Sequence, residues 1–441
     1  MEPLFPLPEE KAKKKIEGEI TKKRVIKGER FQKAIIYASL DELLPPDHRV
    51  RIVLEMVKRM ELGRFYNRIK SIEGEAGRPA IDPEILIAVW LYATLDGVGS
   101  ARKLARQCEE NIAYRWILGG IEINYHTLAD FRVDYEEELD ELLVKGVAAL
   151  MNEGLVDLER TAQDGMRVRA SAGAKSFHRR TTLETHLEKA KNRVEELKQE
   201  DSEEFQRGPR SQAAQERAAN EKVERLEKAL KELEKIEEKR KKSHHKKEKQ
   251  KIPRASRTDP EARFMKMPAE EKRPAYNAEL TIDTESRIIV GVDMVNEVDQ
   301  GQMDPMLEKI HEKYNQYPRK HLVDGGFATI NDIESAHKNK VVVLAPLPDP
   351  RCPGQDSSQP REEDGPGVKS WRERMATEEA KEEYKERAAT IEWANALARN
   401  RGFRQLVVRG IRKVRSILLW FALAHNLMQS VNLRKRQAQA A

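Results

Sequence analysis

The chain has 441 residues, enough for two or three domains, yet 35% are charged and only 6% aromatic; this excludes a uniformly packed interior and assigns part of the length to solvated helix or tail. Lys and Arg number 81 against 75 Asp and Glu, a formal charge of +6, too small an excess to name a polyanionic partner, so local clustering has to carry the argument. The two cysteines, Cys108 and Cys352, lack zinc spacing and fit free thiols in a reducing cytosol, and no apolar run is long enough to span a bilayer, so a soluble cytoplasmic protein with no membrane partner is expected.

Residues 1–40 open with Pro, Lys and Glu in no period and are expected to form a flexible arm. From there to residue 154 the pattern is helical: Val50, Val53, Leu54, Val57 and Met60 recur at three- and four-residue spacings. Asp82-Pro83-Glu84 reads as a helix entry, Leu95-Asp96-Gly97 as a break, and Ser100 as the cap of a second helix carrying Arg102, Lys103 and Arg106. Helix, Gly-containing turn and basic second helix is the grammar of a helix-turn-helix, shared by DNA-binding units and plain helical bundles. Residues 124–154 are read as one further amphipathic helix, capped near Thr127.

After Gly154 the period changes to two. In RTAQDGMRVRASA, Ala162, Asp164, Met166, Val168 and Ala170 share one face, which sets a carboxylate among apolar neighbours at or near the strand end and calls for a cation or metal partner unless that end is open to water. Residues 183–253 follow as an insert. Leu183, Leu187, Ala190, Val194 and Leu197, then Ala219, Val223, Leu226, Leu230 and Leu233, repeat a heptad on two helices, predicting an antiparallel coiled-coil hairpin. From Lys239 to Arg257 ten basic residues stand against one acid, Glu248, either as a solvated linker or as a phosphate-contacting strip.

Strand signals return at 275–283 and 287–295, a hairpin, and then alternate with helices at 299–314 and 329–339 and strands at 321 and 341. Asp324 closes the first of these later strands ahead of Gly325-Gly326; alone it reads as a turn former or helix cap. The run 347–367 resembles a disordered insert, 380–400 one long helix and 411–431 a last helix. In a mixed sheet the strands bearing Asp164 and Asp324 are neighbours, and two adjacent carboxylates suit Mg²⁺. A third is expected on a helix crossing the sheet. There Glu392, between Ile391 and Trp393, is the odd acid in an apolar patch, whereas Glu378, Glu379, Glu382, Glu383 and Glu386 read as exposed charge. From Arg399 to Arg415, seven Arg or Lys and no acid form a strip suited to a DNA backbone or to solvent.

These stretches, in this order, resemble the insertion-sequence DDE transposases, in the branch with a tyrosine, arginine, glutamate, lysine signature on the last catalytic helix. The matching segments are GRPAIDPEILIAVWLYATLDGVGSARKLARQC, QDGMRVRASA, TDPEARFMK, YNAELTID, VDGGFAT, the segment around Glu392, and ALAHNLMQ. The resemblance implies an α/β core, a ribonuclease H-like mixed sheet flanked by helices, over 155–182 and 254–441. An all-α DNA-binding domain at 41–154 and the hairpin insert with its basic linker at 183–253 complete the expected architecture. It makes Asp164, Asp324 and Glu392 the catalytic, metal-binding triad for two Mg²⁺ ions, with Mn²⁺ able to substitute. Tyr384, Arg387, Arg399, Arg401, Arg404 and Arg409, with Arg102, Lys103 and Arg106, become DNA-contacting residues. The implied activity is cleavage and strand transfer of double-stranded DNA, at element ends and target, by a homodimer; the alternative is a catalytically inactive transposase-derived DNA-binding protein. Arg387 to Glu392 is one residue longer than the family's commonest spacing, Arg399 stands for the usual lysine, and Met166 follows Asp164-Gly165 where a small hydroxyl residue is expected.

Overall fold

The computed structural model describes residues 37–72, 79–200, 209–242, 252–268, 271–350 and 356–440. Most of the arm expected at 1–40, Cys352, and the middle of the basic run at 243–251 lie outside the described residues. By its contacts the chain divides into two units, Met1–Leu43 and Leu44–Ala441. In the first, the amide and hydroxyl of Ser39 donate to the Glu42 carboxylate at 2.7 and 2.9 Å.

In the second unit the helical segment comprises α1 (Arg49–Lys58), α2 (Gly63–Tyr66), α3 (Pro83–Leu95), α4 (Ala101–Glu110), α5 (Ile112–Leu118), α6 (Tyr125–Asp134) and α7 (Glu136–Asn152). The start of α3 is set by Asp82, which accepts from the Glu84 amide at 2.8 Å, and by Pro83 in the first turn. Gly97, at φ +68°, supplies the left-handed turn before Ser100 caps α4. The single helix expected at 124–154 is two helices. Asn124, not Thr127, caps the first, accepting from the Thr127 amide at 2.9 Å, and the chain bends at Tyr135.

The sheet is mixed. Its strands are β1 (Arg160–Arg169), β4 (Arg263–Lys266), β5 (Lys272–Asp283), β6 (Ile289–Val295), β7 (Lys320–Leu322) and β8 (Val342–Leu344); β2 (Phe177–His178) and β3 (Ala255–Ser256) form a separate small ribbon. The order is β4-β5-β1-β7-β8, with β6 also on β5. β1 and β5 are antiparallel, whereas β1, β7 and β8 are parallel to one another, which requires the crossover helices α10 (Met303–Tyr314) and α11 (Ile330–Lys338). The edge strand β4 within TDPEARFMK was not expected; at four residues it is too short to show a period.

Between β2 and β3 run α8 (Arg180–Glu200) and α9 (Pro209–Lys242). They pack through Leu183, Ala190, Leu226 and Leu233, and ion pairs between Arg180 and Glu237 at 2.8 Å and Lys191 and Glu227 at 3.1 Å give them opposite directions. After β8, the segment read as a disordered insert is tied down from residue 356. Arg372, on α12 (Pro366–Ala376), is buried and meets Asp364 at 2.7 Å and the Ser357 carbonyl at 2.6 Å.

The long helix expected at 380–400 is interrupted: α13 (Glu378–Arg387) passes through a π-turn, Ala388–Glu392, into α14 (Trp393–Asn400). The last helix, α15 (Ile411–Ala440), outruns the expected 411–431. It joins the helical segment to the sheet in one continuous core. Trp420 lies 6.4 Å from Trp90 and 6.2 Å from Phe131, ring to ring, and donates to the Arg132 carbonyl at 3.0 Å.

Candidate active site

The β1–β7 register places the first two acids. Ala162 pairs with Leu322 on parallel strands, and Asp164 and Asp324 each stand two residues further on, beyond the last paired residues. Asp164 does not end its strand, as expected, since β1 runs on to Arg169 against β5; it sits where the parallel partner departs, and this opens space beside it. Asp324 fulfils the bland reading as well, accepting from the Gly326 amide at 2.5 Å across the turn.

Helix α13 is held by charges at the start of β1 and β7, the end of the parallel pair away from the two acids, and reaches the acids with Arg387 at its last turn. Glu383 receives Lys320 at 2.7 Å and Arg160 at 3.1 Å, and Arg160 also pairs with Glu386. Glu383 is therefore not the exposed charge the sequence reading made it. Its side chain is largely covered, and its cation partners hold its carboxyl below the ordinary range despite burial.

Arg387 is the hub. Its guanidinium meets Asp164 at 2.9 Å and Glu392 at 3.5 Å. Residues five apart on a regular α-helix point about 140° apart; the π-turn widens the helical turn and brings both side chains to one side. The extra residue in the Arg387–Glu392 spacing is thus absorbed locally. Thr390 supplies a donor to the widened turn, its hydroxyl donating to the Glu386 and Arg387 carbonyls at 2.9 and 3.2 Å. Glu392 itself is more than half exposed, not set in an apolar patch as expected; Ile391 turns inward while Trp393 packs on His425 and Arg287.

Burial pushes the Asp164 carboxyl up to about 6, with Asp324 adding to the rise and Arg387 opposing it. Tyr384, half-buried, has its phenol raised chiefly by burial, with Asp324, Asp164 and Glu392 all contributing and Arg387 opposing. Sequence reasoning missed Asn395, whose amide donates to Asp164 at 2.8 Å; its place one turn after Glu392 was the available signal. It also missed the reason for Gly165. A Cβ there would collide with Asp299 and Asn277, on the face opposite Asp164.

The donor chemistry fits a hard divalent cation, being carboxylates with two of them in register. Among the described residues, however, no three His, Cys, Asp or Glu side chains converge closely enough to hold a metal, and the cation between Asp164 and Glu392 is the Arg387 guanidinium. Its Nε is buried without a partner, as is the Asn395 Oδ1.

The basic residues scatter. Arg102, Lys103 and Arg106 stand on the solvent face of α4, opposite Leu104 and Cys108, with Arg102 over the Tyr125 ring. Arg399 and Arg404 are exposed, and Arg409 donates to the Ser171 carbonyl at 3.2 Å. Arg401 is drawn inward over Phe421, and burial holds its guanidinium below its usual range. Within the run 399–415 the last arginine is structural: Arg415 meets Glu136 and, at 2.9 Å, Asp140 on α7, and Arg412 reaches Glu136 at 3.6 Å.

Two family models match the chain: Transposase domain (DUF772) over residues 38–134, and Transposase DDE domain over 361–431. These matches support an insertion-sequence DDE transposase. The second spans Tyr384, Arg387, Glu392 and Arg399, and the first covers α1 through α6. No curated protein and no solved structure matches the chain. Among the described residues no helix is long and apolar enough to cross a membrane.

Proposed function

We propose that this transposase binds double-stranded DNA at the ends of its element, hydrolyses a phosphodiester there to free a 3′-OH, and joins that hydroxyl to target DNA at the same site. The observation that supports the reading is geometric: the β1–β7 register sets Asp164 and Asp324 on neighbouring strands, and Arg387 links Asp164 to Glu392. Asp164 and Asp324 would hold divalent cations, Mg²⁺ by donor type, with Glu392 as a third ligand once its contact with Arg387 is released. When bound, a pair of such ions activates the attacking oxygen and stabilises the leaving one. Asn395 orients the Asp164 carboxylate, Glu383 with Arg160 and Lys320 fixes α13 at the start of β1 and β7, and Arg387, once displaced, meets a phosphate. Paired ends require paired active sites, so the acting species is a homodimer on DNA.

The test is cleavage of a labelled duplex carrying the inverted repeat that flanks the coding region, in Mg²⁺ or Mn²⁺, by the parent and by Asp324→Ala. The parent cuts and yields joined products, and the variant does neither. Cleavage unchanged in Asp324→Ala removes the assignment; cleavage with no joined product leaves a nuclease in place of a transposase.

A further inference from the structure

At the foot of the α8–α9 hairpin a pocket of about 570 Å³ opens beside the β2–β3 ribbon and the edge strand β4. It shares no residue with the carboxylate site. Four of its eight lining residues are arginines, Arg179, Arg240, Arg254 and Arg263, and none is acidic; Phe177 and Phe264 form an apolar wall with ring centres 4.5 Å apart. Arg263 is neutralised by Glu232. Arg179 and Arg254 are exposed and have no ion-pair partner among the described residues, and the same holds for Arg257 close by.

The positive field is felt by its neighbours. His178 and His186 touch edge to face at 5.2 Å, and both imidazoles are held below their ordinary range, first by burial and then by surrounding cations: Arg257 and Arg254 act on His178, and Arg257, Lys189 and Lys222 on His186. Arg179, Arg254 and Arg257, like charges with no ion pair among the described residues, repel one another, and an external polyanion relieves that repulsion. Phe264, 44% exposed at a sheet edge, adds an aromatic face to guanidinium forks; phosphodiester and sugar are recognised by that combination.

We propose that this pocket is a second DNA-backbone site, in which Arg179 and Arg254 bind phosphodiesters of duplex DNA outside the catalytic rim. The proposal rests on the reading of the chain as an enzyme acting on DNA. It gives the inserted hairpin a task that neither matched domain covers, since residues 177–264 lie between the two matches.

The test compares full-length parent, Arg179→Gln/Arg254→Gln and Arg179→Lys/Arg254→Lys for binding to a 30-base-pair duplex over a series of salt concentrations, with cleavage measured in parallel. Each phosphate contact contributes about −0.9 to the slope of log K against log salt. The Gln pair is expected to flatten the slope by about 1.8, while the Lys pair keeps the parent's slope, charge being retained. A Gln pair with the parent's slope, while the parent binds and cuts DNA, overturns this site and leaves the catalytic reading standing. A parent that binds no duplex overturns both.

Discussion

The Arg387 guanidinium lies 2.9 Å from the Asp164 carboxylate, and both side chains are largely covered. A single protein cation thus balances Asp164, whose carboxyl burial pushes up to about 6, and spans to Glu392 at 3.5 Å. Removing it with Arg387→Gln leaves a covered carboxylate without its counter-ion, which costs about 3 kcal/mol in comparable buried pairs. Urea unfolding of parent and variant without metal is expected to show that loss. Adding Mn²⁺ is expected to raise the melting temperature of Arg387→Gln more than that of the parent, because the ion no longer competes with a guanidinium. Equal metal responses contradict a shared position.

A second titrating acid lies on the opposite face of β1. Glu279 is buried and receives Asn277 at 2.5 Å and Gln163 at 3.1 Å; burial pushes its carboxyl up to about 8. Between the ordinary carboxylate range and pH 8 the folded chain keeps a proton that the unfolded chain has released. Stability therefore falls as pH rises through that window and levels off above it, with a slope of at most about 1.4 kcal/mol per pH unit from this group. Glu279→Gln, which resembles the protonated acid, is expected to flatten the decline in unfolding free energy measured from pH 5 to 8. An unchanged decline assigns the pH dependence elsewhere.

Trp420 is fully buried where α15, α3 and α6 meet, and its indole donates to the Arg132 carbonyl. Trp420→Ala opens a cavity and orphans that carbonyl, a loss of about 3–5 kcal/mol. If helical segment and sheet share one core, the variant unfolds in a single transition of lower midpoint by both far-ultraviolet circular dichroism and tryptophan fluorescence. Two separated transitions contradict the shared core.

Much of this was legible in the sequence because it rested on local signals. Asp82 and Ser100 announced their helices through capping chemistry, and alternation placed Asp164 on a definite face of β1. What escaped depended on partners remote in sequence. Glu383 and Glu386 look like surface charge until Arg160, 223 and 226 residues away, is brought beneath them. Arg415 reads as part of a basic strip until folding sets Glu136 and Asp140 against it. The long Arg387–Glu392 spacing looked like a departure from a pattern, because no residue type advertises a π-turn.

That π-turn makes an unusual deletion tolerable. Removing Ala389 shortens the Arg387–Glu392 spacing to that of a regular turn while keeping both side chains on one side, so the variant is expected to fold and to retain cleavage within about tenfold. Deleting Ala396 instead rotates all that follows by about 100° and is expected to destabilise α14 against the core formed by Ala394 and Ala398. Thermal melts and cleavage assays on the two deletions check this. Equal damage from both contradicts the π-turn as the absorber of the extra residue.

The central claim is that Asp164, Asp324 and Glu392 grip the same divalent ions. Anomalous diffraction from crystals of the full-length protein grown with Mn²⁺ and an element-end duplex tests it most directly. The expected map has manganese peaks within about 2.5 Å of oxygens from all three carboxylates, with Arg387 turned away from Asp164. Manganese bound elsewhere, with Arg387 still seated between Asp164 and Glu392, contradicts it.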